Sequence, residues 1–160
     1  PDGSLVAYTS DQSGNPDIWL VDVRGGEPLR LTADPAADTD PAWFPDGSAI
    51  AFTSLRNGPS GIWKVPRLGG SAVLLVDDAA HAAIAPDGLR VAFSRRDASG
   101  FERIAVAQLA QPGSASFLTH DDDGLWDHEE PRGRPTARRS ATGTGATCGS
   151  SRQTEGARGN

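Results

Sequence analysis

The chain has 160 residues, enough to bury a sizeable core, yet every Leu, Ile, Val, Phe, Trp and Tyr lies before Arg132. Up to residue 131 there are 9 basic and 20 acidic residues, a net of −11, whereas residues 132–160 hold 6 basic and 1 acidic. An acidic body argues against nucleic acid as a partner, since phosphate contacts need clustered Lys and Arg; no run of 18 apolar residues offers membrane insertion, and the single cysteine, Cys148, excludes an internal disulfide framework.

The chain opens on Pro1-Asp2-Gly3 with neither an initiator Met nor a basic-then-apolar leader, and is expected to be a fragment of a longer protein. The same tripeptide returns at Pro45-Asp46-Gly47 and Pro86-Asp87-Gly88, spacings of 44 and 41 residues. Proline presets φ, aspartate bonds the following backbone and glycine tolerates positive φ, so the tripeptide is a turn. A large–small–large strand follows each: Val6-Ala7-Tyr8, Ile50-Ala51-Phe52 and Val91-Ala92-Phe93.

Polar connections, SDQSGNPD and SLRNGPSG, lead to second strands at Ile18–Val21 and Ile62–Val65. Gly25-Gly26 and Gly69-Gly70 then break the chain before the third strands PLRLT and SAVLLV. A fourth strand, around Trp43 and around Ile84, is expected to close each unit. In the third unit FERIAVAQL stands for the Ile-Trp strand, Gln111-Pro112-Gly113 for the glycine pair, and Phe117–His120 echoes Arg30–Ala33. The pattern predicts an all-β fold without helical periodicity: an antiparallel β-propeller fragment of about three four-stranded blades at about 1–44, 45–85 and 86–131. Tyr8, Phe52 and Phe93 are expected to occupy equivalent buried positions, and Trp19, Trp43 and Trp63 to pack within or between blades.

Pro-Asp-Gly launching a strand, then Ser-Gly-Asn-Pro-Asp-Ile-Trp, a Gly-Gly turn, Arg-Leu-Thr and Asp-Pro-Ala-Trp-Phe-Pro-Asp-Gly, resembles the WD40-like repeats of TolB-type propellers over residues 1 to about 131. The resemblance implies a non-catalytic, protein-binding scaffold of the periplasm or another extracytoplasmic compartment, completed by blades of the parent chain. The alternatives are the substrate-gating propeller of a prolyl oligopeptidase or dipeptidyl peptidase enzyme, and the sensor propeller of a bacterial kinase or regulator.

Asp11, Ser13, Asn15 and Asp17 alternate as in a calcium loop but lack the further acid, so they read as a polar hairpin connection. His120–Asp123 and His128–Glu130 lack structural-zinc spacing and read as solvated surface; His81, before an apolar strand, reads as a satisfied or partly exposed histidine. No Gly-x-Ser-x-Gly occurs and no serine or cysteine has an evident histidine partner in sequence. The expected catalytic, cofactor-binding and metal residues are therefore none, and no cofactor is implied.

Residues 132–160 contain Gly143–Gly149, which lacks the strand and helix of a phosphate loop. Read in the next frame, the codons from Arg132 onward permit Trp-Ser-Pro-Asp-Gly and later Asp-Leu-Trp-Val-Val-Pro-Ala-Asp-Gly-Gly, matching earlier landmarks. The tail is expected to be frameshifted repeat, disordered for want of apolar burial.

Overall fold

The computed structural model describes residues 1–119. The expectations for His120–Asp123, His128–Glu130, Cys148, the glycine-rich run and the tail lie outside these residues. Among the described residues every regular element is a strand: β1 (Leu5–Ser10), β2 (Asp17–Asp22), β3 (Leu29–Arg30), β4 (Asp38–Trp43), β5 (Ala49–Ser54), β6 (Gly61–Pro66), β7 (Val73–Val76), β8 (Ala80–Ile84), β9 (Arg90–Arg96), β10 (Glu102–Gln108) and β11 (Gln111–Phe117). They form three antiparallel meanders, β1-β2-β3, β4-β5-β6-β7 and β8-β9-β10-β11, the blades of a β-propeller.

The turns form as their chemistry requires. Gly47 and Gly88 both sit at φ 68, where glycine alone is unstrained, and their N–H groups donate to Phe44 O at 2.9 Å and Ala85 O at 2.8 Å. Asp46 Oδ1 accepts from both the amide and the hydroxyl of Ser48, Asp2 does the same with Ser4, and Asp87 accepts the Leu89 amide.

Two expectations need correction. The strand before each Pro-Asp-Gly does not close its own unit. β4 pairs with β5 and β8 with β9, so Trp43 and Ile84 belong to the first strand of the following sheet. The tripeptide is thus a hairpin turn within a blade, and the first sheet has three strands. Second, the last hairpin turns at Leu109-Ala110, because Gln108 pairs with Gln111; Pro112 and Gly113 fall inside β11, an edge strand where proline costs no ladder bond.

The large–small–large strands explain how sheets stack. In β5, Ile50 and Phe52 face the first sheet and are buried with Val65 against Ile18, Leu20 and Leu31, with Ala7, Trp43 and Trp63 packed alongside. Ala49 and Ala51, on the opposite face, join Ile62 and Val76 in receiving Val91 and Phe93 from β9. Each blade therefore inserts its large residues beside the small ones of the blade before it. Every residue of β5 is buried, since this strand is covered on both faces. Phe52 and Phe93 are buried as expected, but Tyr8, at the equivalent register, is only half-buried because nothing in the described residues lies on that side. Trp19, paired with Tyr8 across β1–β2, shares that face, and its Nε1 is buried without a hydrogen-bond partner among the described residues.

Two outcomes follow from this packing. Phe52→Ala and Phe93→Ala each remove a fully enclosed ring and should cost about 3–5 kcal/mol in denaturant unfolding, with Tyr8→Ala costing clearly less. The carboxyls of Asp2, Asp46 and Asp87 are held below their ordinary value of 3.8 chiefly by the amides donated to them, and Asp22 is lowered to about 2 chiefly by the Arg24 guanidinium. A depressed carboxyl contributes stability that is present above 3.8 and lost as pH falls toward the folded value. Melting temperature should accordingly be flat near neutrality and drop from about pH 4 to about pH 2, and Asp46→Asn should make that acid drop shallower.

Candidate functional site

Both complete interstrand pairings of a first strand contain a bulge at the same place. Between Thr39↔Thr53 and Ala42↔Ala51, residues Asp40 and Pro41 oppose Phe52; between Ala80↔Ser94 and Ala83↔Ala92, His81 and Ala82 oppose Phe93. Asp40 stands at φ 53 and His81 at φ 54, a left-handed conformation that costs a non-glycine residue of order 1–3 kcal/mol and recurs at functional positions. The buried rings opposite hold these bulges in place, and the bulges turn the Asp40 and His81 side chains out to solvent.

The two residues then meet across adjacent blades. His81 Nε2 lies 3.8 Å from Asp40 Oδ2, and Nδ1 lies 3.9 Å from Glu102 Oε1, contacts that become ion pairs when the imidazole is protonated. The His81 amide donates to Thr53 Oγ1 of the preceding blade at 3.1 Å. Beside them Ser60, Asp78, Ser94, Arg95, Arg96 and Glu102 line a cleft of about 180 Å³, below the roughly 300 Å³ at which pockets enclose a small organic ligand. Arg95 is committed to the structure, donating to the carbonyls of Asp77 and Asp78.

The structure also brings together a serine and histidine that sequence inspection did not pair: His81 Nδ1 is 3.0 Å from Ser94 Oγ. With Asp40 this has the composition of a catalytic triad. Ser94 lies mid-strand in β9, is buried, and its hydroxyl also lies 3.3 Å from Ala80 O, a placement unlike that of an exposed nucleophile backed by oxyanion donors.

The other sequence candidates serve the scaffold. Asp17 is fully buried and accepts from Arg30 at 2.6 Å and from Ser13; Asn15 donates to the carbonyls of Asp34 and Ala36. The Asn15 amide thus ties this loop to the connection that leads into β4, while Asp17 holds Ser13 and Arg30 within the first blade. No spacing in the sequence marks Asp38, which is fully buried at the head of β4 and accepts from Arg56 Nη2 with both oxygens, at 2.9 and 2.7 Å. The guanidinium stacks 4.8 Å from the Trp63 ring and 5.2 Å from that of Phe52. Only the fold brings these residues together, 18 apart along the chain. Among the described residues no three His, Cys, Asp or Glu side chains converge as a metal site.

The stacked meanders define the class: antiparallel β-propeller blades turned by Pro-Asp-Gly. A family profile described as the TolB beta propeller domain matches residues 1–136, and the chain belongs to that family. Its curated relatives include "Tol-Pal system protein TolB" of Anaeromyxobacter dehalogenans (strain 2CP-1), 40% identical over 43 residues, 27% of this chain and 10% of that protein. Among solved structures, a putative TolB from Agrobacterium tumefaciens is 28% identical with a TM-score of 0.67, covering 74% of this chain and 46% of that one. TolB from Acinetobacter baumannii is 26% identical with a TM-score of 0.63, over 74% and 30%. The chain therefore spans less than half the length of each protein it matches here. An oligogalacturonate lyase in complex with manganese, 21% identical with a TM-score of 0.59 over 76% and 34%, shares the fold alone.

Breaking the Asp38–Arg56 pair from either side strands a buried charge or leaves its cavity. Asp38→Ala and Arg56→Ala should each destabilise by about 3–5 kcal/mol in denaturant titrations. By contrast, ester or peptide hydrolysis by the purified chain should stay at buffer background, unchanged by Ser94→Ala; turnover that this substitution abolishes would make Ser94 a nucleophile.

Proposed function

We propose that this chain is a non-catalytic, protein-binding part of a TolB-type propeller acting in the periplasm or a comparable extracytoplasmic space. The observation that carries the reading is the repeated bulge. Asp40 and His81 are held in costly conformations at equivalent positions, exposed and facing each other, with Glu102 on the other side of His81. Strained side chains that stand exposed at repeated positions are accounted for if they are offered to a partner. The accompanying cleft is small and polar, which suits the polar part of a protein interface better than an enclosed metabolite.

Membership of the TolB family supports the same reading, as do relatives that are Tol-Pal system proteins. The acidic body favours a partner carrying a basic patch, with charge setting encounter rate and register more than affinity.

The test is a calorimetric titration of the chain with the soluble domains of the Tol-Pal system proteins encoded in its own genome. At least one should bind saturably, and the double variant Asp40→Ala/His81→Ala should weaken that affinity by about fivefold or more, the loss expected when truncation costs about 1 kcal/mol. No saturable binding by any of them, or identical affinity for the double variant, would contradict the proposal.

A further inference from the structure

Asp17, Gly61 and Arg103 hold one register position in the three blades. Each stands directly before an isoleucine, Ile18, Ile62 or Ile104, and pairs with Ser10, Ser54 or Arg95 of the preceding strand. In the first and third blades a guanidinium is bound to a carboxylate there. Arg30 Nη2 reaches Asp17 at 2.6 Å, and Arg103 Nε reaches Asp97 at 2.9 Å. The second blade has neither partner: its position is Gly61, and the counterpart of Arg30, the residue paired with the tryptophan of the second strand, is Leu74.

In place of the ion pair there is a cleft of about 210 Å³, with Pro59, Gly61, Trp63 and Leu74 as its apolar part and Asp77 and Asp78 as its acidic part. A Cβ on Gly61 would stand 3.0 Å from Leu74 Cδ1 and 3.3 Å from Trp63 Nε1, so the glycine is the floor on which these two side chains meet. The Asp78 carboxylate has no hydrogen-bond or ion-pair partner among the described residues, and the Asp77 side chain is 86% exposed, 3.6 Å from Arg95 Nη2. The nearby guanidinium groups are committed elsewhere, Arg56 to Asp38 and Arg95 to the carbonyls of Asp77 and Asp78. The second blade has a neighbour packed on each face, so this opening is independent of the ends of the stack.

We propose that the cleft receives an arginine side chain from an extended segment of a partner protein. It is smaller than the roughly 300 Å³ of a small-ligand pocket and matches one long side chain. The methylene stem lies along Leu74 and Trp63, and the guanidinium reaches Asp77 and Asp78, supplying from outside the charge that the first and third blades hold from within. Arginine suits the site better than lysine, because its planar, weakly hydrated head stacks on an indole and forks onto carboxylates. The edge strand β7 favours an extended partner: among the described residues it pairs with β6 alone, and an open edge takes a further strand through backbone hydrogen bonds. The inference does not rest on the role proposed for Asp40 and His81. Asp40 stands on β4, at the opposite edge of the second sheet, although Ser60 and Asp78 border both clefts.

The experiment titrates the complete, isotope-labelled chain with the peptide acetyl-Thr-Val-Arg-Val-Thr-amide and follows the Trp63 indole N–H by NMR, its signal assigned with Trp63→Phe. The same peptide with lysine or glutamine in place of arginine is the control. The Trp63 signal should move saturably with the arginine peptide, and affinity should fall by about fivefold for lysine and about tenfold for glutamine. Leu74→Arg, at a position 44% exposed, supplies a guanidinium from within and should abolish binding. Asp77→Asn/Asp78→Asn should weaken binding by about tenfold; asparagine tolerates the φ of 45 at position 78. Asp40→Ala/His81→Ala should bind the peptide as the native chain does. Circular dichroism separates folding from binding, and if Leu74→Arg does not fold, the Asp77→Asn/Asp78→Asn chain decides. No saturable shift with the arginine peptide would overturn the proposal, as would equal affinity for the lysine or glutamine peptide, which would reduce the effect to net charge or to strand pairing. Undiminished binding by the folded variants of the cleft would overturn it too, and so would binding lost in Asp40→Ala/His81→Ala, which would place the peptide beside His81.

Discussion

The structure depends on the asymmetry between the two faces of each sheet. A four-stranded meander cannot bury both faces by itself, and stacking identical faces would set large residue against large. The alternation in β5 resolves this: Ile50 and Phe52 fill the space above Ala7, while Ala49 and Ala51 leave room for Val91 and Phe93. Successive blades interlock in one direction only. Two separate cores result, one at each junction, and β5, which contributes to both, is wholly buried.

The same constraint shapes the polar parts of the molecule. Phe52 and Phe93 are each opposed by two residues rather than one, and the extra residue forces the bulges that aim Asp40 and His81 at each other. Arg56 covers the other side of Phe52 and reaches back to the carboxylate of Asp38, neutralising a charge that would otherwise be stranded in the junction. A residue chosen for packing therefore determines where the polar groups of the candidate site stand. Binding and stability are expected to be separable, since Asp40 and His81 are exposed while the rings behind them are not.

Much of this was legible in the sequence because it is local. Pro45-Asp46-Gly47 carries its own turn chemistry within four residues, and the large–small–large strands follow directly. Sheet membership of the Trp43 and Ile84 strands was not legible, since an apolar run before a tight turn can close one unit or open the next, and only the ladder decides. The glycine-marked turn expected at Gln111–Gly113 gave way to Leu109-Ala110 because the register of β10 with β11 outweighs local propensity. Asp40 and His81 had no glycine to mark their positive φ, and Ser94 had no spacing to tie it to His81; these pairings come from strands meeting in space.

The central claim, that blades are stabilised by the neighbour on each face rather than individually, is tested most directly by native-state amide hydrogen exchange resolved by strand at a concentration where the chain is monomeric. Amides exchange through openings whose free energies track local burial and coupling. The hydrogen-bonded amides of β5, covered on both sides, should be the slowest, with those of β9 next and those of β1 markedly faster despite pairing with β2 throughout. Equal protection of β1 and β5 would show that each sheet is stable by itself and would contradict the account.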